Sequence, residues 1–211
     1  MNSLFNPDNP LFRFLGRIFD VVYLNLLCLI CCIPIITIGP SVTALYYCML
    51  KIARERDSSI SGMFFHSFKT DLKQGILLTL IFIGAALFLM VDIQACTLID
   101  HALLEYIKIF LYVLCFVLVV VVSYTFPLLA QFDNTIKNTL KNALLMAIPN
   151  FGYTLIIVIF NAIPWVLFFL LPELFLVTFP VWLTFGFSAI AMINSKMFVK
   201  IFNKFIPEYQ E

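Results

Sequence analysis

From Ile18 to Leu50 the chain is almost continuously apolar, with Asp20 its only charge, yet Ile33-Pro34-Ile35-Ile36-Thr37-Ile38-Gly39-Pro40 interrupts the run. A membrane-length helix cannot pass two prolines undisturbed, because proline removes a backbone donor and clashes with the preceding turn. In hydrocarbon every freed backbone group needs a partner inside the protein, so the backbone is predicted to turn or unwind here. Pro34 should free a carbonyl one turn back, and Gly39-Pro40 should stop the helix, with a second piece running from Ser41 to Ala53. Residues 18–53 then form a broken first helix pair. If the pair is a tight hairpin, which is the preferred expectation, there are six crossings and both chain ends lie on one side. If the second helix lies flat, there are five and the amino terminus is outside.

The rest of the chain supports the membrane reading. Of 211 residues, 63% are hydrophobic and 12% charged, with a mean hydropathy of +1.03, against roughly 45–50% apolar and about 25% charged in soluble domains. Residues 75–91, 106–129, 151–171 and 174–193 are further apolar runs of spanning length, since a crossing takes about 18 or more such residues. The fold class is therefore all-α: one polytopic transmembrane helical bundle over residues 1–211, with five or six crossings. The first apolar run is longer than a signal-peptide core, so the amino terminus is expected to be retained.

Two stretches have an amphipathic period. In 57–73, Ile60, Met63, Phe64, Phe68 and Leu72 oppose Ser61, His66, Lys69 and Lys73. In 134–148, Ile136, Leu140, Ala143, Leu144 and Ala147 oppose Lys137, Asn138, Lys141 and Asn142, with Asp133 the expected N-cap. Both are expected to lie among lipid headgroups. Lys and Arg cluster at 51–73, 137–141 and 196–204, while the 92–105 and 172–173 loops have none. The positive-inside rule makes the lysine-rich loops and the carboxyl terminus cytoplasmic. With a formal charge of +1 and no basic stripe, nucleic acid is not an expected partner; membrane lipids are.

The chemistry-bearing residues are sparse. Cys28, Cys31, Cys32, Cys48, Cys96 and Cys115 fall almost entirely in apolar segments and read as buried thiols. Asp92, Asp100, His101 and Glu105 form the only acidic group with a histidine, a pattern that a solvated loop also needs. Asn25 and Asn161, with Asn194, are intramembrane amides, and Pro164 leaves a carbonyl open beside Asn161. Such residues either line a polar path or bond helix to helix, and the second is commoner. No serine has a matching base, and Gly62, Gly75 and Gly84 stand alone rather than in a phosphate-binding loop. Neither an enzyme activity nor a cofactor or metal is expected. A weak internal repeat lays residues 68–72 and 75–77 over 147–151 and 154–156, each an amphipathic helix leading into a span.

Asn25-Leu26-Leu27-Cys28-Leu29, then Pro34 through Pro40, then Ala44-Leu45-Tyr46-Tyr47 and Lys51, resemble the YesL-type family of bacterial integral membrane proteins, and Phe64 through Lys69 with Gln74 resemble the segment that follows. His66 and Asp71 depart from the more basic stretch expected there. That family has no assigned activity. Its gene context implies a bacterial cell-membrane protein that is an accessory to carbohydrate uptake or sensing, with transporter or sensor subunits as partners. The alternative is a small transporter or channel for a polar solute, built around Pro34, Thr37, Gly39 and Pro40.

Overall fold

The computed structural model describes residues 10–54, 59–98 and 102–205, with side chains from Leu15 onward and not at 102–103. Among these the fold is all-α, without a strand. Helix α1 (Pro10–Cys31) opens on a proline, which suits a first turn because its missing N–H would have no intrahelical partner. A short 3-10 turn (Ile35–Thr37) leads into α2 (Ile38–Ala53). There follow α3 (Ile60–Thr70), α4 (Leu72–Leu98), α5 (Ala102–Gln131), α6 (Ile136–Ala147) and α7 (Phe151–Leu170). The last helix is one run in three parts: α8 (Pro172–Val181), a π-helical turn (Trp182–Gly186) and α9 (Phe187–Phe202). Five helical segments are long and apolar enough to cross a membrane: Ile35–Ala53, Leu72–Leu98, Leu104–Gln131, Phe151–Leu170 and Pro172–Phe202. The 22 residues of α1 would reach about 33 Å at ~1.5 Å per residue.

Gly39-Pro40 begins a helix rather than stopping one. Pro40 is the third residue of α2, where the N–H it lacks would have been an orphan. The expected start at Ser41 was late because proline's rule says only that a helix cannot continue through it from the amino-terminal side. Thr37 ties the joint together: its hydroxyl donates to Cys31 O at 2.7 Å and is 2.8 Å from Pro34 O.

Helix α2 is the hub. Ten of its 16 residues are buried, packed by α3, α4, α5 and α9. Its first turn presses backbone to backbone on α4. A Cβ at Gly39 would meet Thr79 Oγ1 and Gly75 O, and one at Gly75 would lie 2.7 Å from Pro40 Cγ. The Gly75 that stands alone in the sequence thus pairs with a glycine on another helix. With Gly39/Thr43 and Gly75/Thr79 four residues apart, this is the small-residue packing of membrane helices.

The ends of α5, α7 and α9 nearest Gln131, Asn150 and Phe202 meet, with Phe132 and Phe202 rings 5.3 Å apart and Lys204 Nζ donating to Asn150 Oδ1 at 2.8 Å. The start of α4 joins them through the break, because Gly39 lies against both Gly75 and Phe126. These are the lysine-rich ends. The break therefore sits at the lysine-rich side of the bundle, not at the far tip that a full-depth hairpin requires. Ile35–Ala53 has the composition of a span, but α2 touches Gly75 and Thr79, Phe126 and Ala130, and Asn194 and Phe198. All lie within about 12 Å of those ends at ~1.5 Å per residue, half the roughly 24 Å length of α2. The helix is oblique in that half of the bundle.

Two smaller expectations are corrected. Thr135, not Asp133, precedes the first turn of α6, and its side chain makes no cap bond. The buried stripe of α6 is Thr139, Ala143 and Ala147, while Leu144 is turned outward. Chain order repeats as well: α2, α3, α4 and then α5, α6, α7 each place an amphipathic helix before a span. Tyr46 and Tyr124, each seven residues before its helix ends, both stand edge-on to the Phe198 ring, at 6.0 and 5.1 Å.

Gly39→Ala and Gly75→Ala should each cost about 2–4 kcal/mol, because backbone cannot yield as a flexible side chain does. Gly84, with open space around it, should accept alanine without loss. Thermal unfolding in one detergent compares the three; equal midpoints would contradict the close α2–α4 contact.

Candidate functional site

The break is hydrogen-bonded shut. The Gly39 N–H has no acceptor in its own first turn and donates to Thr79 Oγ1 at 3.0 Å, while that hydroxyl donates to Gly75 O at 2.7 Å. Ser41 Oγ donates to Thr37 O at 2.7 Å and Thr43 Oγ1 to Gly39 O at 2.9 Å. Gly39, Pro40, Ser41 and Thr43 are buried, whereas Pro34 is exposed among Ile33, Ile35 and Ile36. Of the expected break residues, Thr37, Gly39 and Pro40 thus form a packed joint, and Pro34 faces outward.

The intramembrane amides do not form one site. Asn25, fully buried, clasps the π-helical turn: its Nδ2 donates to Trp182 O at 3.1 Å and Leu183 O at 2.8 Å, and its Oδ1 accepts the Ser188 N–H at 2.9 Å. A π turn widens the helix by one residue and disturbs the ladder of backbone bonds. Asn25 supplies an acceptor and a donor at that spot from another helix. Trp182 to Ser188 lie about 21–30 Å before Phe202 at ~1.5 Å per residue, so α1 descends from Asn25 toward the break at the lysine-rich side.

Asn161 belongs to a second network spanning four helices. Its Nδ2 donates to Ser123 Oγ at 3.1 Å, and its Oδ1 accepts from Asn194 Nδ2 at 2.8 Å. The same Asn194 nitrogen is 3.3 Å from Tyr46 Oη. Below it, Tyr124 Oη and Thr154 Oγ1 are 2.7 Å apart, and Thr154 is 2.9 Å from Ala147 O. Pro164 is buried in α7, which runs on through it to Leu170. Ser188 Oγ, Asn194 Oδ1 and Ser195 Oγ, all on α9, are buried without a hydrogen-bond partner among the described residues. Asn194 and Tyr46 thus complete a network that reading along the chain could not assemble, since its members lie on four separate helices.

The remaining candidates stay apart. Asp100 and His101 lie outside the described residues; Glu105 is exposed and Asp92 half-buried. No three His, Cys, Asp or Glu side chains among the described residues are placed to hold a metal. Cys28 Sγ and Cys32 Sγ are 3.9 Å apart, and the six thiols are free. At the α3–α4 joint, burial pushes the Asp71 carboxyl above its ordinary value, partly offset by the Ser67 hydroxyl that donates to it at 3.0 Å.

Three measurements test this arrangement. Asn25→Leu strands the Ser188 N–H and should cost about 1–3 kcal/mol, whereas a double-mutant cycle on Asn161→Ala and Asn194→Ala should give a coupling of about 0.5–1.5 kcal/mol. Because Asp71 is raised, its contribution to stability is greatest when protonated and is lost as pH rises through its folded value. Asp71→Asn should therefore raise the thermal midpoint at neutral pH, with the gain shrinking as the solution is acidified through the carboxylate range.

Residues 21–93 match the family model described as "Protein of unknown function, DUF624". That stretch holds Asn25, the break, α2, α3 and most of α4, and therefore both partners of the Gly39–Gly75 contact. No curated protein matches the chain. No solved structure matches it either.

Proposed function

We propose that this chain is a non-catalytic, multi-pass membrane protein that acts through contacts with other membrane proteins. The observation that carries this reading is how the polar interior is used. Asn25, Asn161 and Asn194 bond helix to helix, and the broken first helix is closed by Thr37 and Thr79. A solute path needs polar groups left facing a continuous cavity; here both side-chain amide atoms of Asn25 and of Asn161, and the Asn194 nitrogen, are spent on holding the bundle together. Large apolar side chains such as Phe88, Val91, Phe169, Leu176 and Val177 are meanwhile strongly exposed, offering surface to lipid or to partner helices.

The YesL-type resemblance suggests carbohydrate transporter or sensor subunits as those partners, in a bacterial cell membrane. The lysine-rich ends are assigned to the cytoplasm by the positive-inside rule. With α1 descending to them, the reading has five crossings and an external amino terminus.

Photo-crosslinkers placed at Leu176 and Val177 in living cells should capture a transporter or sensor subunit in preference to abundant membrane proteins. Purified protein in sealed vesicles should pass sugars and small ions no faster than empty vesicles do. Flux from the protein alone would favour the transporter reading, and crosslinks distributed by abundance alone would remove the proposed partnership.

A further inference from the structure

Three cysteines close α1, and two of them meet: Cys28 Sγ and Cys32 Sγ are 3.9 Å apart. We propose that Cys28 and Cys32 form a two-thiolate binding site for copper(I), a soft monovalent cation.

The separation suits a shared ion. A first-row metal lies about 2.3 Å from a thiolate sulfur, so two sulfurs on one ion stand ~3.8 Å apart at a tetrahedral angle and ~4.6 Å apart in line. The observed distance falls inside that interval, and a small rotation of Cys32 opens it toward the linear end. The backbone holds the pair in place. Cys32 N–H donates to Cys28 O at 2.9 Å, which sets the two side chains one turn apart on one face. The Thr37 hydroxyl ties down Cys31 O at 2.7 Å and closes the end of the helix. A pair preset in this way needs little ordering on binding. Cys28 is 5% exposed in the main apolar core, whereas Cys32 is half-buried at its margin, so the ion enters past Cys32.

The ligand set chooses the ion. No three His, Cys, Asp or Glu side chains among the described residues are placed to hold a metal together, which leaves zinc short of its four ligands. Thiolates favour copper(I) among the first-row ions, and that ion accepts two sulfurs in line. Binding moves no electron: each S–H bond breaks as an S–Cu bond forms, and both protons leave to solvent. The product carries one negative charge. Helix α1 turns the negative end of its dipole toward it, but α2 begins beside it and turns the positive end. Ser41, in that first turn of α2, lies within hydrogen-bond reach of the Cys32 sulfur. The lysine-rich side, where the break sits, is assigned to the cytoplasm, in which thiols stay reduced.

The test uses the full chain, reduced and under anaerobic conditions in detergent micelles, with copper(I) supplied from its bicinchoninate complex. The chain should take one copper from the chelator, and X-ray absorption at the copper edge should count two sulfur neighbours and no nitrogen or oxygen. Cys28→Ser and Cys32→Ser should each lower copper retention several-fold, while Cys31→Ser should leave it unchanged. Should a serine variant fail to fold, alkylation of the unaltered chain by N-ethylmaleimide keeps the test open: copper should shield Cys28 and Cys32 and no other thiol. Zinc(II) in place of copper should not be retained. The site is overturned if the chain leaves copper with the chelator, if three or more sulfurs surround the ion, or if Cys31→Ser loses as much as Cys32→Ser. Zinc held with the same dependence on Cys28 and Cys32 would overturn the assignment to a soft monovalent ion.

Discussion

In hydrocarbon the N–H groups of a helix's first turn must find acceptors or cost several kcal/mol each. The first turn of α2 meets this demand at Gly39 by reaching out of its own helix to the hydroxyl of Thr79. That one bond explains a set of otherwise separate residues. Gly39 and Gly75 must lack side chains for α2 and α4 to come within range. Pro40 is tolerated because it needs no acceptor, and its ring fills the space over Gly75. Thr79 must be hydroxylated, since it accepts from one helix and donates within another. Helix α2 is thereby held obliquely in the lysine-rich half, where it becomes the surface on which α3, α5 and α9 pack.

The same demand is met further back along the chain, inside α1. A π turn in the last helix disturbs its backbone pairing, and Asn25 answers from the neighbouring helix with three bonds. The turn also sets the rotation of α9, since one residue added to a helix turns everything beyond it by roughly 100°. It thereby directs Asn194 to Asn161 and Phe198 to Tyr46 and Tyr124. Asn25 and the Asn161 network are thus mechanically related, though they share no atom contact. Both bind helices to one another.

The sequence made the apolar runs, the two amphipathic stretches and the inward-facing amides legible, because hydropathy and period are properties of consecutive residues. It could not assign partners. Gly75 looked isolated since the glycine it faces lies on another helix. Pro40 reads locally as a stop, whereas the rule behind that reading forbids only one direction of travel. Asn25 and Asn161 looked alike as lone intramembrane amides, yet one serves a backbone defect and the other serves Asn194. The π turn has no local signature in Trp182–Gly186 beyond the nearby Pro180, so the need that Asn25 meets was invisible.

The α2–α4 joint rests on the Thr79 hydroxyl, and the most direct measurement compares Thr79→Val with Thr79→Ser by reversible unfolding in mixed micelles. Valine keeps the shape and removes the acceptor; serine keeps the acceptor and removes a methyl group. The valine variant should be less stable than the serine variant by about 1–3 kcal/mol, the cost of leaving a buried donor unpaired. A valine variant as stable as the unaltered protein would show that Gly39 needs no partner from α4, and the central joint described here would be wrong.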